Sequence, residues 1–139
     1  MSQANIDTVR NTYAAFGRGD IGGILSALDA SVVWRTPGIG HVPTGGRRTG
    51  HAQVTEFFGT VSRLVQFEKF EPQSIVADGD RVIVLGEDVF KVKGGSKTIT
   101  EPWCHVFTFR DGKVVDFLEI LDTAALAAEL KSTGALATS

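Results

Sequence analysis

Cysteine, methionine and tyrosine each occur once in the 139 residues, and proline four times. A lone Cys104 excludes an internal disulfide. The three histidines stand without a Cys or His partner at ligand spacing, so neither a structural zinc site nor any other metal is expected. Neither sign of charge is in excess: fourteen Lys and Arg against sixteen Asp and Glu leave a net charge of −2. That balance gives no footprint for a phosphate backbone or an anionic membrane surface, so no nucleic-acid or membrane partner is expected. The stretch Gly45-Gly46-Arg47-Arg48-Thr49-Gly50 lacks the Lys of a phosphate-binding loop, and nucleotide binding is not argued. An apolar leader core is missing as well. Asp7 and Arg10 fall within the first helix-like pattern, and the expected compartment is cytoplasmic.

What is present is an ordinary soluble composition, 42% hydrophobic and 22% charged, at a length that suits one domain of about 150 residues. A single domain over residues 1–139 is expected. The departures from average usage are 16 Gly and 9 Phe.

Ile6, Val9, Tyr13 and Phe16 recur at helical spacing, and Gly17 and Gly19 end that helix. Asp20 stands at the N-cap of a second, short helix with Ile21, Ile24, Leu25 and Leu28 on one stripe. Ser31 to Arg35 reads as a strand. Residues Thr36 to Gly50 show no periodicity and hold five Gly and two Pro, which predicts a functional lid or rim. Val54, Phe57, Phe58, Val61 and Leu64 mark a third helix. The period then becomes two. Extended segments cover Phe67 to Ala77, Arg81 to Lys93, Lys97 to Phe109 and Val114 to Leu121, parted by hairpin signals at Asp78-Gly79-Asp80, Gly94-Gly95 and Asp111-Gly112. Asp122 caps a last helix over Thr123 to Lys131. The order predicts an α+β fold, a strongly bent antiparallel sheet closed by helices into a cone, with bulges at Gly86 and Pro102.

Turn chemistry sets the expected register. A two-residue turn at Gly94-Gly95 pairs Asp88 with Glu101, Gly86 with Trp103 and Val84 with His105. A three-residue loop at Arg110-Asp111-Gly112 sets Phe107 against Val115, His105 against Phe117 and Trp103 against Glu119. One face then carries Val84, Phe90, Phe107, Phe109, Val115, Phe117 and Leu121, with Asp88, Glu101, His105 and Glu119 in their midst. Carboxyl groups on an apolar wall are costly unless paired or protonated, which is how general acids and bases are tuned. The other face gathers Ile83, Leu85, Cys104, Val106, Leu118 and Ile120 and predicts a homodimer through the outer sheet surface.

Gly19-Asp20-Ile21, the run Pro102-Trp103-Cys104-His105-Val106-Phe107, Asp111-Gly112-Lys113-Val114 and the ending Glu119-Ile120-Leu121-Asp122-Thr123 resemble the nuclear transport factor 2-like superfamily over nearly the whole chain. Within it, the chain is similar to the SnoaL-like polyketide cyclase and ketosteroid isomerase-like branch. The resemblance implies the cone of the cystatin-like roll. By the limonene-epoxide hydrolase pattern, Asp88 takes the place of the proton donor and Glu119 that of the water-activating carboxylate, while Gly86 replaces the Arg that bridges them. By the ketosteroid isomerase pattern, His105 takes the place of the oxyanion-stabilising acid, Thr36 that of the general-base Asp, and Thr12 or Tyr13 that of the catalytic Tyr.

The expected function is therefore cofactor-independent acid-base chemistry, with no metal, on a small apolar molecule with a polar handle: isomerisation, cyclisation or water addition. Asp88, His105 and Glu119 are the expected catalytic residues. Tyr13, Trp34, Phe58, Glu101 and Trp103 are the expected substrate contacts, with Glu101 at the rim. The bland alternative is a non-catalytic ligand-binding or protein-association module, its carboxylates solvated or paired with an Arg such as Arg35.

Overall fold

Helix α1 (Ser2–Gly17) forms where the apolar stripe predicts it and buries Val9 completely. It stops at Gly17 because Gly19 turns the chain at φ 71°, a left-handed conformation that costs glycine nothing. This computed structural model describes residues 2–135. Helix α2 (Ile21–Leu25) is capped by Asp20, whose carboxylate accepts from the Gly23 amide at 2.9 Å. Leu28, read from its spacing as part of that helix, instead opens strand β1 (Leu28–Thr36).

Strand β2 (Gly46–Thr49), helix α3 (Gly50–Leu64) and strands β3 (Val65–Asp78), β4 (Arg81–Val92), β5 (Thr98–Arg110) and β6 (Lys113–Ile120) follow, then helix α4 (Ala124–Ser132). The six strands make one curled, unclosed sheet in the order β2-β1-β6-β5-β4-β3. Neighbours are antiparallel except β1 and β6, which run parallel. Helices α1 and α3 pack across the inner face, and α4 reaches β4 at the far end. Two apolar clusters fill the interior. The larger includes Val9, Val32, Trp34, Val54, Val84, Trp103, Phe107 and Phe117, and the smaller Phe90, Val92, Ile99, Leu126 and Leu130.

Strand β2 lies inside the segment read as a loop. It pairs with β1 from Val33↔Thr49 to Thr36↔Gly46, and its Gly-Arg-Arg-Thr sequence offers no apolar alternation to betray it. The expected bulges at Gly86 and Pro102 are absent: β4 and β5 pair without a shift through Gly86↔Trp103 and Glu87↔Pro102. The irregularity falls across the sheet instead, on β3 between Pro72 and Ser74, opposite Gly86, with another between Phe67 and Lys69. Gly86 is the residue type that leaves room there for Trp103, since a Cβ would meet the indole.

The Gly94-Gly95 register is as the turn chemistry predicts. The β5–β6 register is not. The hairpin closes as a two-residue turn, with Asp111 and Gly112 both at positive φ (52° and 78°) and Arg110 opposite Lys113. A bulge then inserts Val115, so Phe107 faces Phe117 and His105 faces Glu119. The net slip from the expected pairing is two residues. Inner residues therefore stay inner, except that Val114 rather than Val115 is buried.

On the outer face, Leu85, Cys104 and Ile120 form one row across β4, β5 and β6, beside Val76, Ile83, Val106 and Leu118 across β3 to β6. Leu85, Ile120 and Val76 are about half exposed (53%, 54% and 52%).

Candidate functional site

The bent sheet, α1, α3 and the segment before β2 enclose a cavity of about 120 Å³. Tyr13, Phe16, Trp34, Phe57, Phe58, Phe67, Phe70, Phe107 and Phe117 give it aromatic walls, among which Asp88, Glu101, His105 and Glu119 are the ionisable groups. Each side chain is placed by a local rule. Tyr13 and Phe16 are three apart on α1, so both face inward. Asp88 on β4 stands directly opposite Glu101 on β5, and His105, four residues after Glu101, shares its face.

His105 is held from both sides. Its Nε2 lies 2.7 Å from Glu119 Oε2 and its Nδ1 lies 2.7 Å from the Tyr13 hydroxyl. The ring stacks on Trp103 at 4.1 Å between centroids and leans on Phe117 at 4.8 Å. The bulge that puts Glu119 opposite His105 is what creates this hydrogen-bond geometry. The expected register would have set Phe117 there.

Asp88 and Glu101 are buried, and Asp88 Oδ1 has no hydrogen-bond partner among the described residues. Burial, followed by the charges of Glu119 and Glu87, pushes the Asp88 carboxyl up to about 7. Burial, followed by the charges of Asp88, Glu119 and Asp122, pushes Glu101 up to about 8. Burial, with the Glu119 charge behind it, also drives the Tyr13 hydroxyl upward, so Tyr13 stays neutral. Among the described residues, no three of His, Cys, Asp or Glu converge closely enough to hold a metal ion. No described helix is long and apolar enough to cross a membrane.

The sequence pattern of the SnoaL-like domain matches residues 9–117. The chain belongs to the SnoaL-like domain family. A nuclear transport factor 2-like protein of unknown function from Burkholderia pseudomallei is 33% identical. The match covers 93% of this chain and 98% of that one, with a TM-score of 0.85. A nuclear transport factor 2-like protein from Burkholderia xenovorans is 34% identical over 93% of this chain and 97% of its own, TM-score 0.83. TerC, crystallised with polyporic acid, is 32% identical over 92% and 98%, TM-score 0.81. No curated protein sequence matches the chain.

Within this SnoaL-like domain, seven of the eight residues singled out from sequence, all but Trp103, line the cavity. Trp103 stands behind it, packed between Gly86 and the His105 ring. Glu101, read as rim, is buried beside Asp88. Arg35 pairs with Asp116 at 2.8 Å and with none of the cavity carboxyls. The Thr36 hydroxyl donates to the Thr44 carbonyl, and Thr36 does not line the cavity. Of the two readings of this segment, lid or rim, the contacts fit a pinned rim. Arg48 donates to the Pro43 and Thr44 carbonyls at 3.0 and 3.2 Å and covers the Phe57 ring, so Thr44 is held against the cavity beside Pro37. Phe16, Phe67 and Phe70 were not singled out. For Phe16 the signal was there, three residues after Tyr13 on the same stripe.

The raised carboxyls set a pH dependence. Asp88 and Glu101 hold their protons more tightly in the folded chain than in the unfolded one. The stability they contribute is therefore complete below about pH 4 and is lost as pH rises through about 7 to 8. The melting temperature is expected to fall by about 5 °C or more between about pH 5 and about pH 9. The double variant Asp88→Asn with Glu101→Gln should flatten that decline in a thermal-shift series. A wild-type melting temperature that holds steady across the range would contradict a protonated pair.

Proposed function

We propose that this chain is a cofactor-independent acid-base enzyme that moves a proton beside a carbonyl of a small apolar, ring-bearing substrate, in isomerisation, cyclisation or water addition. One observation carries the reading: a single aromatic-walled cavity holds two buried, facing carboxyls, Asp88 and Glu101, whose burial favours their protonated forms, and a histidine–carboxylate couple, His105 and Glu119. A neutral carboxylic acid donates a hydrogen bond to a carbonyl oxygen, and the couple takes the neighbouring proton. Two ionisable sets pushed to opposite roles are the usual signature of acid-base division of labour.

Cavity size narrows the substrate. About 120 Å³ is near the roughly 150 Å³ that accommodates one benzene, so the site encloses one ring. TerC was crystallised with polyporic acid, which makes polyporic acid a direct binding probe for this chain. The test is a panel of enones, polyketide-like ketones and epoxides assayed by NMR. Turnover of a carbonyl compound that Glu119→Gln abolishes supports the enzyme reading. Ligand binding without turnover of any member supports the non-catalytic module.

The outer face supports self-association. Leu85, Cys104 and Ile120 in one row are apolar surface that a second copy of the chain covers. Sedimentation should give a dimer for the wild type and a monomer for Leu85→Lys with Ile120→Lys. A monomeric wild type at working concentration contradicts the pairing.

A further inference from the structure

The acid-base reading leaves open which atom meets the substrate proton. Neither nitrogen of His105 is free to do so: Nε2 is engaged by Glu119 and Nδ1 by Tyr13, each at 2.7 Å. Only the neutral ring can take up a proton, and in that form counting donors fixes the hydrogen. A carboxylate only accepts, so Nε2 carries the hydrogen of a neutral ring; Nδ1 is then bare and accepts from the Tyr13 O–H. The Tyr13 oxygen has thereby spent its proton on the histidine and keeps its lone pairs. Tyr13 lines the cavity, so it presents an acceptor there, where a phenol used as an oxyanion donor would present a proton.

We infer that Tyr13 is a catalytic proton shuttle: its oxygen takes the substrate proton while its own hydroxyl proton passes to Nδ1 of His105. The inference rests on the acid-base reading of the same site. The step balances. A C–H bond beside the substrate carbonyl breaks, and an O–H bond forms on Tyr13. The former Tyr13 O–H breaks, and an N–H forms at Nδ1. The electron pair left on the substrate moves to its carbonyl oxygen, which takes a proton from the Asp88–Glu101 pair. Running the relay backwards delivers the proton to a second carbon and restores every group, so no oxidant or co-reactant is required.

Glu119 is the rival acceptor, through its second oxygen. Protonating Glu119 would replace the charged acceptor of the Nε2–H bond by a neutral one. Protonating Nδ1 instead makes an imidazolium against the Glu119 carboxylate, a charge-assisted hydrogen bond that strengthens as the reaction proceeds. The shuttle also never forms a phenolate, which burial and the Glu119 charge oppose.

Two measurements test it. In 15N-histidine-labelled protein, long-range 1H–15N correlation at neutral pH should show a neutral His105 with the proton on Nε2, and the Nδ1 resonance should move in Tyr13→Phe. A neutral ring protonated on Nδ1 overturns the shuttle. On a ketone that the wild type turns over, Tyr13→Phe should lower kcat about 100-fold with KM nearly unchanged. Full turnover in Tyr13→Phe, combined with loss in Glu119→Gln, overturns the shuttle alone and assigns the proton to Glu119. A wild type that turns over no ketone overturns the enzyme reading and the shuttle together.

Discussion

Glu119→Gln is expected to lower turnover about 1000-fold while the protein stays folded, within the range for removing the partner that stabilises a charged catalytic histidine. The amide keeps the shape of the carboxylate, and its oxygen still accepts from His105 Nε2, so the 2.7 Å contact survives. What disappears is the negative charge that balances an imidazolium inside an aromatic wall. A second consequence separates this account from simple disruption of the site. The Glu119 charge is one of the causes that hold the Asp88 and Glu101 carboxyls up. Without it both should ionise at lower pH, and the alkaline limb of the remaining activity should move toward acid. Steady-state kinetics across pH reads both effects. Full activity in Glu119→Gln would remove the couple from the mechanism.

Gly86→Ala is expected to cost about 3 kcal/mol or more, the upper end for overpacking a core, and about 10 °C in melting temperature. A Cβ at position 86 would lie 2.2 Å from Trp103 Cζ2 and 2.6 Å from the Glu71 carbonyl oxygen. The indole has no open side: it is 3% exposed and stacks on Phe70 at 4.9 Å and on His105 at 4.1 Å. The Glu71 carbonyl belongs to strand β3, hydrogen-bonded to β4, and cannot retreat either. Relief must come from Trp103, and moving Trp103 moves the ring it supports, so activity should fall further than stability alone explains. Gly59→Ala is the matched control. Position 59 is exposed in α3 with no atom within 4 Å of the new methyl, and there alanine should stabilise by up to about 1 kcal/mol. Similar melting temperatures for the two variants would show that the Trp103 platform is less constrained than described.

The same two residues explain how much of the molecule was readable beforehand. A glycine opposite a tryptophan has one sensible register, and the β4–β5 ladder follows it. The β5–β6 ladder defeated the same logic because the apolar match of Phe107 with Val115 is as good as that of Phe107 with Phe117. Only the bulge at Val115, which has no sequence mark, chooses between them. Since the net slip was two residues, every side chain beyond the bulge kept its face, and Asp88, His105 and Glu119 were placed in a common cavity for the right geometric reason. The Asp88–Glu101 pairing was legible too, from the Gly94-Gly95 turn. The chain that runs from Tyr13, thought of as wall, through His105 to Glu119 was not. That linkage depends on sub-residue geometry between α1 and the sheet, which periodicity does not encode. Strand β2 was invisible for a different reason: its four residues have no apolar side chain, and it exists because β1 offers it an edge.

The central claim is that two cavity carboxyls keep their protons well above the ordinary carboxylate range, opposite a histidine–carboxylate couple. Side-chain 13C NMR of the full chain across the pH range tests it most directly, with Asp88→Asn and Glu101→Gln to assign the signals. The account predicts two carboxyl resonances that titrate far above the rest, near 7 and 8, and that shift downward together in Glu119→Gln. Asp88 and Glu101 resonances that complete their titration in the ordinary carboxylate range, below about pH 5, would contradict it.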